Sequence, residues 1–237
     1  MKKDDKTPPL PEQSMLQQED RGLSDKNRNS PYEQIRSAIR TGKLKPGSRV
    51  TETHLAEWLN VSRTPIREAI LMLEQDGLFQ YAPRQGLIVS ILNYEDVVEL
   101  YAMREVLEGA AASLAAKYAS DAELSILNEV LEAEQSYTGD DQTQVVSLNR
   151  QFHQIVCFAA HNQFLIKSLG ALDDSMMLLG PTTLAVADRH ASALDEHSQI
   201  VAAIEARDAE AAEKAARNHI RSAQVYRLKM MIGGNTQ

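Results

Sequence analysis

The stretch LAEWLNVSRTPIREAILMLEQDGLFQYAPRQGLIVSI, residues 55–91, decides how the chain is read. Its centre opens at Ser62, a hydroxyl residue suited to an N-cap, and tolerates Pro65 in the first helical turn. Ile66, Ala69, Ile70 and Leu73 follow at steps of three and four, so one face of this helix is buried. Gly77 ends it. Beyond the glycine, LFQYAPRQGLIVSI reads as two short strands joined through Pro83, Arg84, Gln85 and Gly86. Upstream, TETHLAEWLN predicts a helix capped by Thr51, with His54, Leu55, Trp58 and Leu59 as its inner stripe. YEQIRSAIRTG predicts another, with Tyr32, Ile35, Ala38 and Ile39 on one face and a stop at Gly42. The two are joined by a turn on Pro46-Gly47. Three helices and a hairpin over residues 31–92 predict a winged helix-turn-helix.

Arg63 and Arg67 are four residues apart on the face opposite the apolar stripe, with Thr64 between them in the first turn. Guanidinium groups bond guanine O6 and N7 bidentately or clamp phosphate, and hydroxyls at a helix N-terminus suit phosphate oxygens. The N-terminal end of such a helix is the part that enters a major groove. Arg84 and Gly86 at the hairpin tip suit a wing that approaches the backbone or minor groove closely. The competing reading, two solvated arginines paired with Glu68 or Glu74, is weakened because hydroxyl, arginines, preceding helix and hairpin occur together.

The charge distribution agrees. The chain carries a net −8, but residues 31–92 hold eight basic and six acidic side chains, against eleven and twenty-one over 93–237. A mildly basic first part is able to approach phosphates. Hydrophobic content of 43% and charged content of 24% suit a soluble globular protein. Apolar runs fall far short of the roughly 20 residues a membrane span needs, and the N-terminus lacks a signal-like apolar core. One cysteine, Cys157, excludes an intrachain disulfide framework and fits a reducing compartment, so the cytoplasm is the expected location. Residues 1–30, rich in Pro, Gln, Asp, Lys and Ser, predict a disordered N-terminal arm.

From Tyr94 onward the pattern is helical throughout, in segments of about 94–118, 121–137, 142–161, 163–179, 183–206 and 208–231. The fold class is thus mainly α: a winged helix-turn-helix followed by an all-α bundle over 93–232, large enough for its own core. On the helix from 142 to 161, Asn149 and His153 flank the apolar stripe of Leu148, Phe152, Ile155, Val156 and Ala159. Cys157 and His161 continue their line by further steps of four, so this helix alone does not choose among them. His197 aligns with His190 and Ile204, and His219 lies among Ala212, Ala215, Ala216, Ala223 and Tyr226, where small side chains leave room for a ring. Arg104, within the pattern of Val97, Leu100, Leu107 and Ala111, is either an anion contact or the partner of Glu108 one turn on. Arg150 and Arg189 are weaker anion contacts.

The run LAEWLNVSRTPIREAILMLEQDGL resembles the winged-helix signature of GntR-family bacterial transcription regulators, and YAPRQGLIVS resembles their wing. The resemblance implies that Ser62, Arg63, Thr64, Pro65, Arg67 and Gly86 face DNA. Many members have an arginine where this chain has Thr53. MREVLEGAAASLAA, LNRQFHQIV and EHSQIVAAIEARDAEAAEKAARNHI resemble the FCD effector domain of the FadR-type branch, and six helices resemble its VanR-like subgroup. In many such domains one Asp and three His ligate a divalent metal. The matching positions are Asn149, His153, His197 and His219, with asparagine in place of the aspartate.

The expectation is a ligand-responsive regulator, a repressor, that binds a pseudo-palindromic operator in double-stranded DNA as a homodimer. A divalent metal, zinc with nickel or manganese as alternatives, would sit beside a small carboxylate effector contacted by Arg104, Arg150, Arg189 and His190. Effector binding would then alter the placing of the two DNA heads. One alternative is a metal-dependent hydrolase built on the histidines, against which stand the absence of HExxH and of a carboxylate placed as general base. Another is a constitutive DNA binder with a structural metal.

Overall fold

The computed structural model describes residues 30–139, 141–186 and 188–234. All but the last residue of the arm expected over 1–30 lies outside the described residues. The described chain divides into two compact units, 30–44 with 48–88, and 45–47 with 89–234.

In the first unit, α1 spans Pro31–Arg40, α2 Glu52–Leu59 and α3 Arg63–Gln75, followed by strands β1 Phe79–Ala82 and β2 Gly86–Val89. The caps are local. Ser30 accepts from the Glu33 amide and Thr51 from the His54 amide, satisfying donors a helix start leaves free. Ile35, Ala38 and Ile39 of α1 and Ile66, Ala69, Ile70 and Leu73 of α3 are buried, as their spacing predicts. Helix α2 differs from expectation. Leu55 and Ala56 are buried and Leu59 is half-buried, but His54 and Trp58 face solvent. Over eight residues the periodicity does not separate the two edges of a stripe, and the small Ala56 permits the closer approach. Asn60, in the left-handed region, then turns the chain toward α3.

The second unit holds α4 Tyr94–Tyr118, α5 Asp121–Ser136, α6 Gln142–Ala159, α7 Gln163–Met177, α8 Arg189–Glu205 and α9 Ala209–Gly234. Capping boxes fix two of these starts, Asn93 with Asp96 on α4 and Ser120 with Glu123 on α5. The single helix expected over 183–206 is instead a 3-10 turn, Thr183–Ala185, and then α8. Thr182 caps the short turn through the Leu184 amide, and Asp188 takes φ 68°, which breaks helical continuity just before Arg189. Leu184 is thereby buried against Val145 and Ala193.

The core of this unit is built from α4, α5, α6, α8 and α9. Ala111, Ala112, Ala115 and Ala116 of α4 pack with Leu127, Phe152, Val156, Ile200, Ile204, Ala212 and Ala216. Small residues let α4 and α9 lie close. At Gly109 an added Cβ would come within 2.8 Å of the Arg217 Cγ. Among the described residues, no helix is long and apolar enough to cross a membrane.

Candidate functional site

At the start of α3, Ser62, Arg63 and Thr64 are exposed and Pro65 is half-buried. The Ser62 hydroxyl makes no capping hydrogen bond, and no acidic residue occupies the first turn of α3. The partial positive charge of this N-terminus is therefore uncompensated from within, which suits a phosphate. Arg67 Nε donates to Glu52 Oε2 at 2.8 Å, a pair formed with α2 in place of the Glu68 or Glu74 partners considered from the sequence. Thr53, Glu57, Asn60, Ser62 and Arg63 line an open concavity of about 410 Å³. At the hairpin tip, Arg84 is exposed at φ 66° and Gly86 takes φ 79°.

In the second unit, His153 from α6, His197 from α8 and His219 from α9 come together, with one potential ligand nitrogen of each within 4.8 Å of the others. Ring centroids are 4.6 to 5.4 Å apart. Phe152, itself buried, stacks on His197 at 3.8 Å and fixes its plane. His161 stands apart. It lies beyond the end of α6 at φ 50°, bonded to Glu123 at 2.9 Å, so the choice among His153, Cys157 and His161 is made by packing.

Each imidazole is backed by a different carboxylate. His153 Nδ1 meets Glu108 at 2.7 Å, His197 Nδ1 meets Glu134 at 2.8 Å, and His219 Nδ1 meets Glu196 at 2.8 Å. Three carboxylates beside three histidines correct the sequence reading, which found none so placed. Glu196, next to His197 in sequence, bonds His219 instead. A ring that donates from Nδ1 carries its lone pair on Nε2. His197 Nε2 is buried with no hydrogen-bond partner. A buried, unpartnered nitrogen among converging imidazoles is what a metal ligand looks like without its ion.

Burial disfavours the charged form of two of these rings. Burial, opposed by Glu134, holds the His197 pKa below its ordinary value. Burial, followed by the neighbouring rings of His197 and His153, holds His219 well below. Burial works against ionisation of Glu108, yet Arg104 and His153 outweigh it and hold its carboxyl far below the usual carboxylate range.

The arginines proposed as anion contacts already have carboxylate partners. Arg104 bonds Glu108 at 2.8 Å, the pairing weighed from sequence as the alternative. Arg150 lies 3.6 Å from Asp173. Arg189, only 1% exposed, bonds Glu196 at 2.7 Å, while its own Nε has no partner. Its Nη2 is 3.5 Å from His219 Nδ1, too far to displace Glu196 from that nitrogen. Asn149 and His190 line a small cavity of about 10 Å³ together with His197, Glu134, Tyr137 and Leu184.

A helix-turn-helix with a hairpin, followed in the chain by a helical bundle with a histidine cluster, is the arrangement of a two-part bacterial regulator. Comparison with known proteins agrees. Residues 28–89 match the model described as bacterial regulatory proteins, gntR family, and residues 99–222 match the FCD domain. The chain is 34% identical over 185 residues to the HTH-type transcriptional regulator YdhC of Bacillus subtilis (strain 168), covering 77% of this chain and 83% of that one. It is 35% identical to a Paenarthrobacter nicotinovorans protein named "Probable D-xylose utilization operon transcriptional repressor", covering 77% and 80%. Among solved structures, E. coli McbR/YncC superposes with a TM-score of 0.71 at 25% identity, over 85% of this chain and 96% of that one. The chain belongs to the GntR family of transcription regulators, in its FadR-type branch with an FCD domain. It is a DNA-binding regulator and not an enzyme, so the hydrolase alternative is set aside. The geometry offers a reason: each glutamate sits behind its ring, on the side away from Nε2.

Proposed function

We propose that this regulator is a repressor that binds a pseudo-palindromic operator as a homodimer and holds a divalent metal, zinc, in its helical unit. His153, His197 and His219 would supply the ligands through Nε2, with Asn149 as a neutral oxygen donor or effector contact. The observation that carries the reading is the buried, unpartnered Nε2 of His197 among rings whose Nδ1 atoms are all turned to glutamates. A bound ion would polarise an oxygen donor of a small carboxylate effector. Arg189, whose Nε is buried without a partner, and His190, which lines the small cavity beside His197, would orient that carboxylate. Arg63, Thr64 and Arg67 read the major groove, with Arg84 and Gly86 as the wing. A homodimer follows because one short recognition helix reads one half-site. The six α-helices among the described residues of the second unit support a VanR-like placement. Repression is supported by the printed role of the Paenarthrobacter nicotinovorans relative.

The test combines elemental analysis and native mass spectrometry of the purified protein with operator titrations, with and without zinc and a panel of small carboxylates. Bound metal and a carboxylate-dependent affinity support the reading. Metal-free protein whose operator affinity ignores both refutes it. One observation favours the constitutive alternative with a structural metal: a cavity of about 10 Å³ holds a single water and must open to admit a carboxylate. Under that reading zinc binds, and no carboxylate shifts operator affinity.

A further inference from the structure

We propose that Glu108, Glu134 and Glu196 are the positioning residues of this centre, each fixing one imidazole and together supplying the negative charge that Asn149 does not. The inference rests on the metal reading above and deepens it. Its basis is a threefold repetition. Three histidines on three helices each present Nδ1 to a separate glutamate at 2.7 or 2.8 Å. The glutamates come from α4, α5 and α8, so no single local feature of sequence or helix geometry produces the pattern. Each pairing, with the proton on Nδ1, leaves the Nε2 lone pair of its ring to a cation and makes the ring a stronger base toward it.

Two of these glutamates have a second explanation, since Glu108 also bonds Arg104 and Glu196 also bonds Arg189. Glu134 does not. It is 5% exposed, and among the described residues its hydrogen-bond partner is His197, itself only 1% exposed. A buried carboxylate is costly unless a positive charge lies close by. A cation on the far nitrogen of His197, which is buried and unpartnered, supplies that charge through the ring. The local charges point the same way. By formal charge the three glutamates, Arg104 and Arg189 leave one net negative charge around the three rings, so a dication is attracted even though position 149 is an amide.

The test uses full-length protein and Zn²⁺ alone, with affinity read by competition against a chromophoric chelator. Wild type binds Zn²⁺, and Glu134→Gln, Glu108→Gln and Glu196→Gln each bind it about 10- to 100-fold more weakly with unchanged helical content. Long-range nitrogen NMR of the metal-free protein reads the tautomers directly, which a merely structural role would not move. His197 is protonated on Nδ1 in wild type, loses that preference in Glu134→Ala and regains it in Glu134→Asp. Glu196 is partly exposed, so Glu196→Gln remains an informative variant should a change at the buried Glu134 impair folding. Wild type that binds Zn²⁺ while all three glutamine variants bind it equally well overturns this proposal and leaves the metal reading standing. Wild type that binds no Zn²⁺ defeats the metal reading and this proposal with it.

Discussion

Glu52 holds Arg67, one of the residues proposed to contact DNA, and replacing it should tighten operator binding while Arg63→Ala weakens it. Arg67 is 64% exposed and Glu52 36% exposed, joined at 2.8 Å through Nε. A pair so open to solvent contributes about 0.2–1 kcal/mol. DNA binding must give up that energy if Arg67 is to turn toward a base or phosphate. Glu52→Gln removes the restraint and one negative charge at the interface, so affinity should rise about 1.5- to 5-fold. Arg63 has no such debt. It opens α3 with no acidic residue in the first turn, and a bidentate contact to a guanine contributes about 1–3 kcal/mol. Arg63→Ala should therefore weaken binding about 5- to 150-fold and relax preference at one base pair per half-site. If Arg63 instead holds phosphate, the loss is uniform across sequences and the salt slope falls by about one. The assay is fluorescence anisotropy with an operator selected from a random DNA pool, repeated at four salt concentrations. Unchanged affinity and salt slope in Arg63→Ala, or weaker binding by Glu52→Gln, refutes this account of the recognition helix.

Asn149→Asp should tighten Zn²⁺ binding measured by calorimetry, because a carboxylate adds charge compensation at a position one turn from His153. An unchanged affinity places Asn149 away from the ion. Phe152→Ala removes a buried ring stacked on His197 and should destabilise the protein by about 3–5 kcal/mol in chemical denaturation, with weaker Zn²⁺ binding alongside. A loss below about 1 kcal/mol contradicts the packing described. At Glu123, burial raises the pKa, but the Ser120 amide and His161 outweigh it and leave the carboxyl below its ordinary value of 4.5. A depressed folded value gives stability that is present above pH 4.5 and is lost as pH falls through the folded value. Glu123→Gln should thus lower the urea midpoint at pH 7 and have little effect in strong acid. Equal effects at both pH values remove the capping box as the cause.

Much of the architecture is legible in the residues themselves, because the signals are local. The cap read at Thr51, and apolar steps of three and four, place helices within a few residues of where they lie, and Ser30, Asn93 and Ser120 prove to be local caps of the same kind. The misreadings have physical causes. Helix α2 is too short for periodicity to say which edge of its stripe is inside. The break before α8 depends on Asp188 adopting a left-handed conformation, which no apolar spacing encodes. At the site, the three histidines stand out by type and by family resemblance, but their glutamates do not. Glu134 and His197 are 63 residues apart and Glu196 and His219 are 23 apart, so only packing pairs them. The suggestive neighbours, Glu196 and His197, diverge on their helix and serve different pairs.

Under the proposed function, ligation in the helical unit governs DNA binding by the first unit. The direct measurement is operator affinity by anisotropy for the chelator-stripped protein, the zinc-loaded protein and the zinc-loaded protein with saturating carboxylate, alongside a His197→Ala control. The account predicts that zinc with carboxylate shifts wild-type affinity about 5- to 150-fold, the range of ordinary site-to-site coupling, and leaves His197→Ala unmoved. Identical affinities in all three states of the wild type would contradict it.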